Sequence, residues 1–207
     1  VFLKGSQEAI LQLQTVNTST TGVNTWEGFS IVPTSPTSRG YYNLTPELLN
    51  AFETNDNRRR DWVNSYVTSG TTFYYPYKYK IRTKSPVEEY SMVLRLAEVY
   101  LIRAEARAQQ TKLSLAKADL DTIRSRANLP ALASNLTKPQ TLLAVEQERN
   151  VELFTEWGHR WFDLRRTGRA LTVLATAKPN LTATSLWYPI PQTARNSNPN
   201  LTQNDGY

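Results

Sequence analysis

Val93-Leu94-Arg95-Leu96-Ala97-Glu98-Val99-Tyr100-Leu101-Ile102-Arg103-Ala104-Glu105-Ala106 is the stretch on which the fold turns. From Met92 onward the apolar side chains recur at helical spacing. Val93, Leu96, Tyr100, Ala104 and Ala108 fall on one stripe, and the spacing predicts a helix ending near Gln110. Ala116, Leu120, Ile123 and Ala127 form a second stripe that stops before Pro130. So short a connection makes the two an antiparallel helical hairpin.

Further along, a third helix is predicted from Pro139 to Glu156, with proline at its start and Gly158 as its stop. After Lys178 the prolines at 179, 189, 191 and 199 predict an extended tail. Tyr100, Ala104, Ala116 and Leu120 match the large–small–small–large spacing of a tetratricopeptide-like unit. Any helical hairpin satisfies the same four positions.

N-terminal to residue 91 the texture changes. Ala9 to Val16 alternates as a short strand does. A Thr/Ser/Asn-rich run follows from Asn17 to Gly40, interrupted by Trp26 and Phe29 and blocked from regular structure by Pro33 and Pro36. Loops of that length are usually either functional or disordered. Thr45-Pro46-Glu47 reads as a capped helix start, with Leu48, Leu49 and Phe52 as its apolar face. Phe73 to Arg82 alternates again, with Tyr75, Tyr77, Tyr79 and Ile81 on one face and Lys78, Lys80 and Arg82 on the other. Pro76 places this strand at a sheet edge. The expectation is one mainly α domain over 1–207 with long loops and a few short strands. Its 1–90 part is loop-rich and its 91–207 part helical.

Composition narrows the function classes. The 207 residues carry a net charge of +6 and no cysteine. Disulfides, thiolate metal sites and cysteine nucleophiles are therefore excluded. The cations are scattered rather than gathered in the stripe that nucleic acid requires. Arg58-Arg59-Arg60 is followed at once by Asp61 and reads as a solvated face. No apolar run approaches the roughly 18–20 residues that span a bilayer.

Glu148, Glu152 and Glu156 recur every four residues, with Arg149, Arg160, Arg165 and Arg166 nearby. A glycosidase pair would have to flank a sugar from two sides, which neighbours on one helix do not do. The row reads instead as an ion-pair network. Glu156-x-x-His159 is half of a di-metal motif without its second copy, and His159 is the only histidine. It reads as a turn-fixing or helix-capping residue. Phosphate loops, nucleophile elbows and zinc spacings are missing. Among the aromatics, Trp26, Tyr41 and Tyr42 sit in or beside the long loop with Asn24 and Arg39. Flat rings beside amide and guanidinium donors are the equipment that stacks on sugar faces and bonds their hydroxyls. The Tyr74–Tyr79 ladder reads as core, and Trp157, Trp161 and Phe162 as packing around a helix end.

Four segments carry a family resemblance. Val93 to Ala106 resembles the "RxAEVxLxxAEA" helix of SusD/RagB proteins, and Ala118 to Pro130 their "LNxIRxRAGLP" helix. Glu148 to Leu153 followed by Glu156 to Arg166 resembles "ERxxELxxEGHRWFDLRR", with Trp157 disturbing the usual Glu-Gly. Tyr188 to Pro191 and Asn198 to Tyr207 resemble the "PIP" and "NPNLxQNPGY" ending, with Asp205 in place of proline. Pro46 to Arg58 fits the looser "PTxELxxxFxxxDxR" pattern.

The resemblance implies the C-terminal region of a SusD-like protein, more than half of whose usual length lies outside this chain. It implies a non-catalytic binder of oligosaccharides or polysaccharides, without cofactor, on the extracellular face of a Bacteroidetes-type outer membrane. Such a protein hands nutrients to a SusC-like TonB-dependent transporter and is tethered by an N-terminal lipid anchor that this chain lacks. It also implies structural roles for Arg149, Glu152, Glu156, Arg160, Trp161, Asp163 and Arg165. The glycan contacts, expected at Trp26, Tyr41, Tyr42, Arg39 and Asn24, rest on composition alone. The alternatives are a helical-repeat docking scaffold that binds no sugar, and a glycoside hydrolase using Glu152.

Overall fold

The computed structural model describes residues 1–16, 22–35, 38, 40 and 42–207; Arg39 and Tyr41 lie outside the described residues. Two compact units are present, Val1–Trp157 and Gly158–Tyr207. The change of texture near residue 90 is thus not where the units part: the loop-rich segment and the helical hairpin share the first.

In that unit β1 (Ala9–Leu13) pairs antiparallel with β4 (Ser91–Arg95), setting Leu13 opposite Ser91 and Gln12 opposite Met92. Met92 to Arg95, expected as the first turn of a helix, is therefore strand. The pairing with β1 overrides the helical spacing, and α4 (Leu96–Gln109) begins only after it. The buried stripe shifts accordingly to Ala97, Leu101, Ala104 and Ala108, leaving Leu96 exposed.

β2 (Val63–Thr68) and β3 (Thr71–Pro76) form a hairpin in regular register from Val63 opposite Pro76 to Thr68 opposite Thr71. Ser69 and Gly70 turn it, both at positive φ (50° and 76°), as two-residue hairpins favour. Strand geometry ends at Pro76, so the expected alternation through Arg82 fails at its second half. Tyr79 is nevertheless buried, and its hydroxyl oxygen accepts from the Met92 amide at 2.7 Å.

α4 packs against α5 (Leu113–Arg126) and α6 (Lys138–Glu152). Ala104 and Ala116, neither with any exposed surface, belong to the small residues of this hairpin; Leu101, Leu120, Ile123, Val145 and Leu153 supply the bulk of the core. α6 carries a full capping box, Thr137 with Gln140. It stops at Glu152, four residues before the expected end, because Thr155 and Trp157 adopt left-handed backbone (φ 57° and 42°). A second core gathers Phe2, Trp62, Val63, Tyr79, Met92 and Phe154. Three short helices complete the unit: α1 (Trp26–Ile31), α2 (Pro46–Ala51), capped by Thr45 as expected, and α3 (Asn57–Asp61).

The second unit holds α7 (His159–Arg166), α8 (Ala170–Leu174), a 3-10 turn (Thr184–Leu186) and α9 (Gln192–Ser197). His159 opens a helix rather than capping the end of one. The tail is less extended than its prolines predict, since Pro191 occupies the N-cap of α9, where no amide donor is needed. No helix among the described residues is long and apolar enough to cross a membrane.

Candidate functional site

The carboxylate row is buried. Glu152 accepts from three guanidinium groups: Arg58 Nη1 at 3.0 Å, Arg95 Nη1 at 2.5 Å, and Arg126 Nη2. Arg58 also donates to Asp56 and, through Nη1, to Glu148. Arg95 reaches Glu156 through Nε at 2.8 Å and Glu8 at 2.9 Å. Lys78 donates to Glu156 and to the Glu152 carbonyl oxygen, its ammonium 4.2 Å from the Phe154 ring centroid and 4.8 Å from that of Trp62.

Arg58, expected on a solvated face, is thus interior, and so is Lys78. Arg58 and Lys78 are drawn in by the acids of α6 and its following turn, a long-range pairing that local charge patterning does not reveal. Burial alone would raise the Glu152 carboxyl, but Arg95, Arg126 and Arg58 outweigh it and hold the group well below the carboxylate range. Burial pushes the Lys78 amine down to about 8, against the pull of Glu156. Glu148 moves the other way, burial raising it more than Arg58 lowers it.

Each carboxylate of the row is engaged in ion pairs, and Glu156 borders a cavity of about 10 Å3. Among the described residues no group of three or more His, Cys, Asp or Glu is placed to hold a metal ion. Arg149 lies buried in α6. In the second unit the signature residues sit on α7: Asp163 pairs with Arg166 at 2.8 Å, and the Arg165 guanidinium lies 5.8 Å from the Trp161 ring. Arg160 follows His159 in the first turn.

The exposed chemistry lies elsewhere. α1 begins at Trp26, which is 67% exposed and meets Phe29 edge-on at 5.6 Å. Its anchoring is tight. Thr25 caps the helix by accepting from the Gly28 amide at 2.9 Å. A Cβ on Gly28 would stand 2.5 Å from the Ile81 carbonyl oxygen, so only glycine allows the helix to lie this close. Arg82 stacks on Phe29 at 4.4 Å and donates to the Phe29 and Val32 carbonyl oxygens.

Asn24 does not belong with the ligand contacts. It is fully buried; its amide nitrogen donates to the Gly22 and Lys84 carbonyl oxygens, and its oxygen accepts from the Glu88 and Glu89 amides. All its bonding capacity goes into fastening the segment that presents Trp26. Tyr42 is 57% exposed. The structure therefore leaves Trp26 and Tyr42 accessible and withdraws Asn24.

Reading by composition passed over Trp187 and Tyr188, exposed at 61% and 76%. Their signal was available: two adjacent rings before Pro189, in a stretch that the prolines keep out of long helices. Trp157 and Phe162, expected as packing, are also more than half exposed, although the Trp157 indole N–H donates to the Met92 carbonyl oxygen at 2.7 Å.

Comparison with known proteins adds kinship to this geometry. Residues 60–207 match the sequence profile described as the SusD family. A SusD superfamily protein from Bacteroides vulgatus ATCC 8482 shares the fold with a TM-score of 0.73 at 21% identity, over 99% of this chain and 52% of its own. One from Parabacteroides distasonis ATCC 8503 gives 0.72 at 25% identity, over 97% and 50%. Surface glycan-binding protein A from Bacteroides thetaiotaomicron, in complex with laminarihexaose, gives 0.70 at 21% identity, over 95% and 52%. The chain thus spans about half the length of these solved relatives. Among curated proteins no match is found.

Proposed function

Because this chain belongs to the SusD family, we propose that it binds glycan without transforming it, using the exposed rings of the first unit. The observation that carries the reading is Trp26: a large indole left in solvent at the start of a helix that Asn24, Thr25, Gly28 and Arg82 hold rigidly in place. A ring already fixed loses little entropy when a sugar stacks on it. Tyr42 is a second exposed ring, and Arg39 and Tyr41, proposed as further contacts, lie outside the described residues. The relative crystallised with laminarihexaose makes an oligosaccharide the reasonable ligand class.

Engagement of Glu148, Glu152 and Glu156 in ion pairs argues against hydrolysis. The whole protein would act on the extracellular face of the outer membrane, tethered by a lipid anchor and passing oligosaccharides to a SusC-like TonB-dependent transporter. The docking-scaffold alternative predicts that Trp26, Tyr41 and Tyr42 are buried and that no sugar binds; Trp26 and Tyr42 are exposed, and Tyr41 lies outside the described residues.

Affinity electrophoresis against neutral and anionic polysaccharides tests the reading. Retardation of the wild-type chain on at least one polymer, lost in Trp26→Ala, is the expected result. A chain that no polymer retards would overturn it.

A further inference from the structure

The unit Gly158–Tyr207 carries an aromatic surface of its own. A cavity of about 320 Å3 is lined by Ala183, Thr184, Trp187, Asn204 and Asp205. Trp187 forms one wall, with the Arg165 guanidinium 5.1 Å from its ring centroid. The same guanidinium also lies over Trp161, which fixes the tilt of the Trp187 indole.

Four side-chain bonds to the backbone brace the wall from behind. The Gln203 amide nitrogen donates to the Ile190 carbonyl oxygen, and its oxygen accepts from the Ile190 amide. Asn204 Nδ2 donates to the Tyr188 carbonyl oxygen at 2.6 Å, and the Tyr207 hydroxyl to that of Trp187 at 2.8 Å. Gly206, at φ 90°, lies so near Thr184 that a Cβ there would stand 2.7 Å from the threonine Cβ. Gly206 thus packs closely against Thr184, a lining residue of the cavity.

The same cavity is lined by two side-chain acceptors, those of Asp205 and Asn204. Among the described residues the Asp205 carboxylate has no hydrogen-bond or ion-pair partner, and Asn204 Oδ1 has none either. Asp205 is also the position at which the chain's ending departs from the family pattern. A ring and side-chain acceptors lining one cavity of about 320 Å3 suit one pyranose ring, whose C–H face stacks and whose hydroxyls donate.

We propose that Trp187, Asp205 and Asn204 form a second saccharide subsite, selective for neutral sugars because a carboxylate at the contact repels uronate and sulfate groups. It rests on the glycan reading above and adds a contact point in the other unit.

The test uses the whole chain on gels containing laminarin, xyloglucan, starch or pectin. Trp187→Ala and Asp205→Asn are compared with wild type and with Trp26→Ala, each first checked for folding by circular dichroism. The expectation is retardation on a neutral polymer, with apparent affinity reduced roughly tenfold by each variant and partly restored in Trp187→Phe. Asp205→Asn changes no size and removes no backbone donor, so it remains informative if Trp187→Ala folds poorly. Retardation unchanged in both variants but lost in Trp26→Ala overturns the second subsite alone. A wild-type chain retarded only on pectin overturns the selectivity for neutral sugars. A chain retarded by none of the polymers overturns this subsite together with the glycan reading.

Discussion

Arg58 shows how little a residue's neighbours in sequence say about its fate. In the run Arg58-Arg59-Arg60 the three look alike, yet Arg58 is buried among Asp56, Glu148 and Glu152 while Arg60 pairs with Asp61 in solvent. Removing one member of a buried pair leaves the other charged and unsolvated, which costs about 3–5 kcal/mol. Arg58→Ala is therefore expected to destabilise the chain by about that amount in urea unfolding, whereas Arg60→Ala leaves the urea midpoint essentially unchanged. Equal effects would contradict the division. Trp26 was legible as an exposed ring, because it stood in a proline-interrupted loop. Asn24 was not legible as buried: its four partners come from residues 22, 84, 88 and 89, and only the folded chain brings the last three to it.

At the scale of elements, helices with long periodic stripes were readable, as was β1, whereas β2 and β4 were not. α5 and the capped start of α2 fall where spacing and capping chemistry put them. β4 was misread because Met92, Val93 and Leu94 suit either period, and the choice is made by β1, almost eighty residues away in sequence. β2 was missed outright, since Val63 to Thr68 is mixed in polarity and only its pairing to β3 makes it a strand.

The element that presents Trp26 yields its own prediction. Gly28→Ala forces a methyl against the Ile81 carbonyl oxygen and should lift α1 from its seat, at about 1–3 kcal/mol. Polysaccharide retardation should fall with it although no ring has been altered. Unchanged retardation at full stability would mean that α1 tolerates the shift and that its anchoring does not matter for binding.

Across the whole molecule the buried charges set the response to acid. Glu152 is held below its ordinary value of 4.5, with burial opposing and three arginines prevailing, and Glu156 and Glu53 shift in the same direction. On acidification the unfolded chain takes up these protons first, so stability is full above about pH 4.5 and drains as pH falls below it. Glu148, raised by burial, offsets part of the loss. Urea midpoints should therefore drop steeply between pH 5 and pH 3, and a flat profile would count against the network. Composition marks where loops give way to helices near residue 90, whereas contacts become sparse near Gly158.

The network has a consequence for the order in which the chain can fold. Arg126 reaches Glu8 across 118 residues, and Arg58, Arg95 and Arg126 meet only at Glu152. Contacts of such sequence separation are closed late and slow the search. A nascent chain leaving the ribosome as far as α5 holds three guanidinium groups whose shared acceptor has not yet been synthesised. The final turn of α6 is then the latch of the first unit, and its arrival sets the pace of assembly.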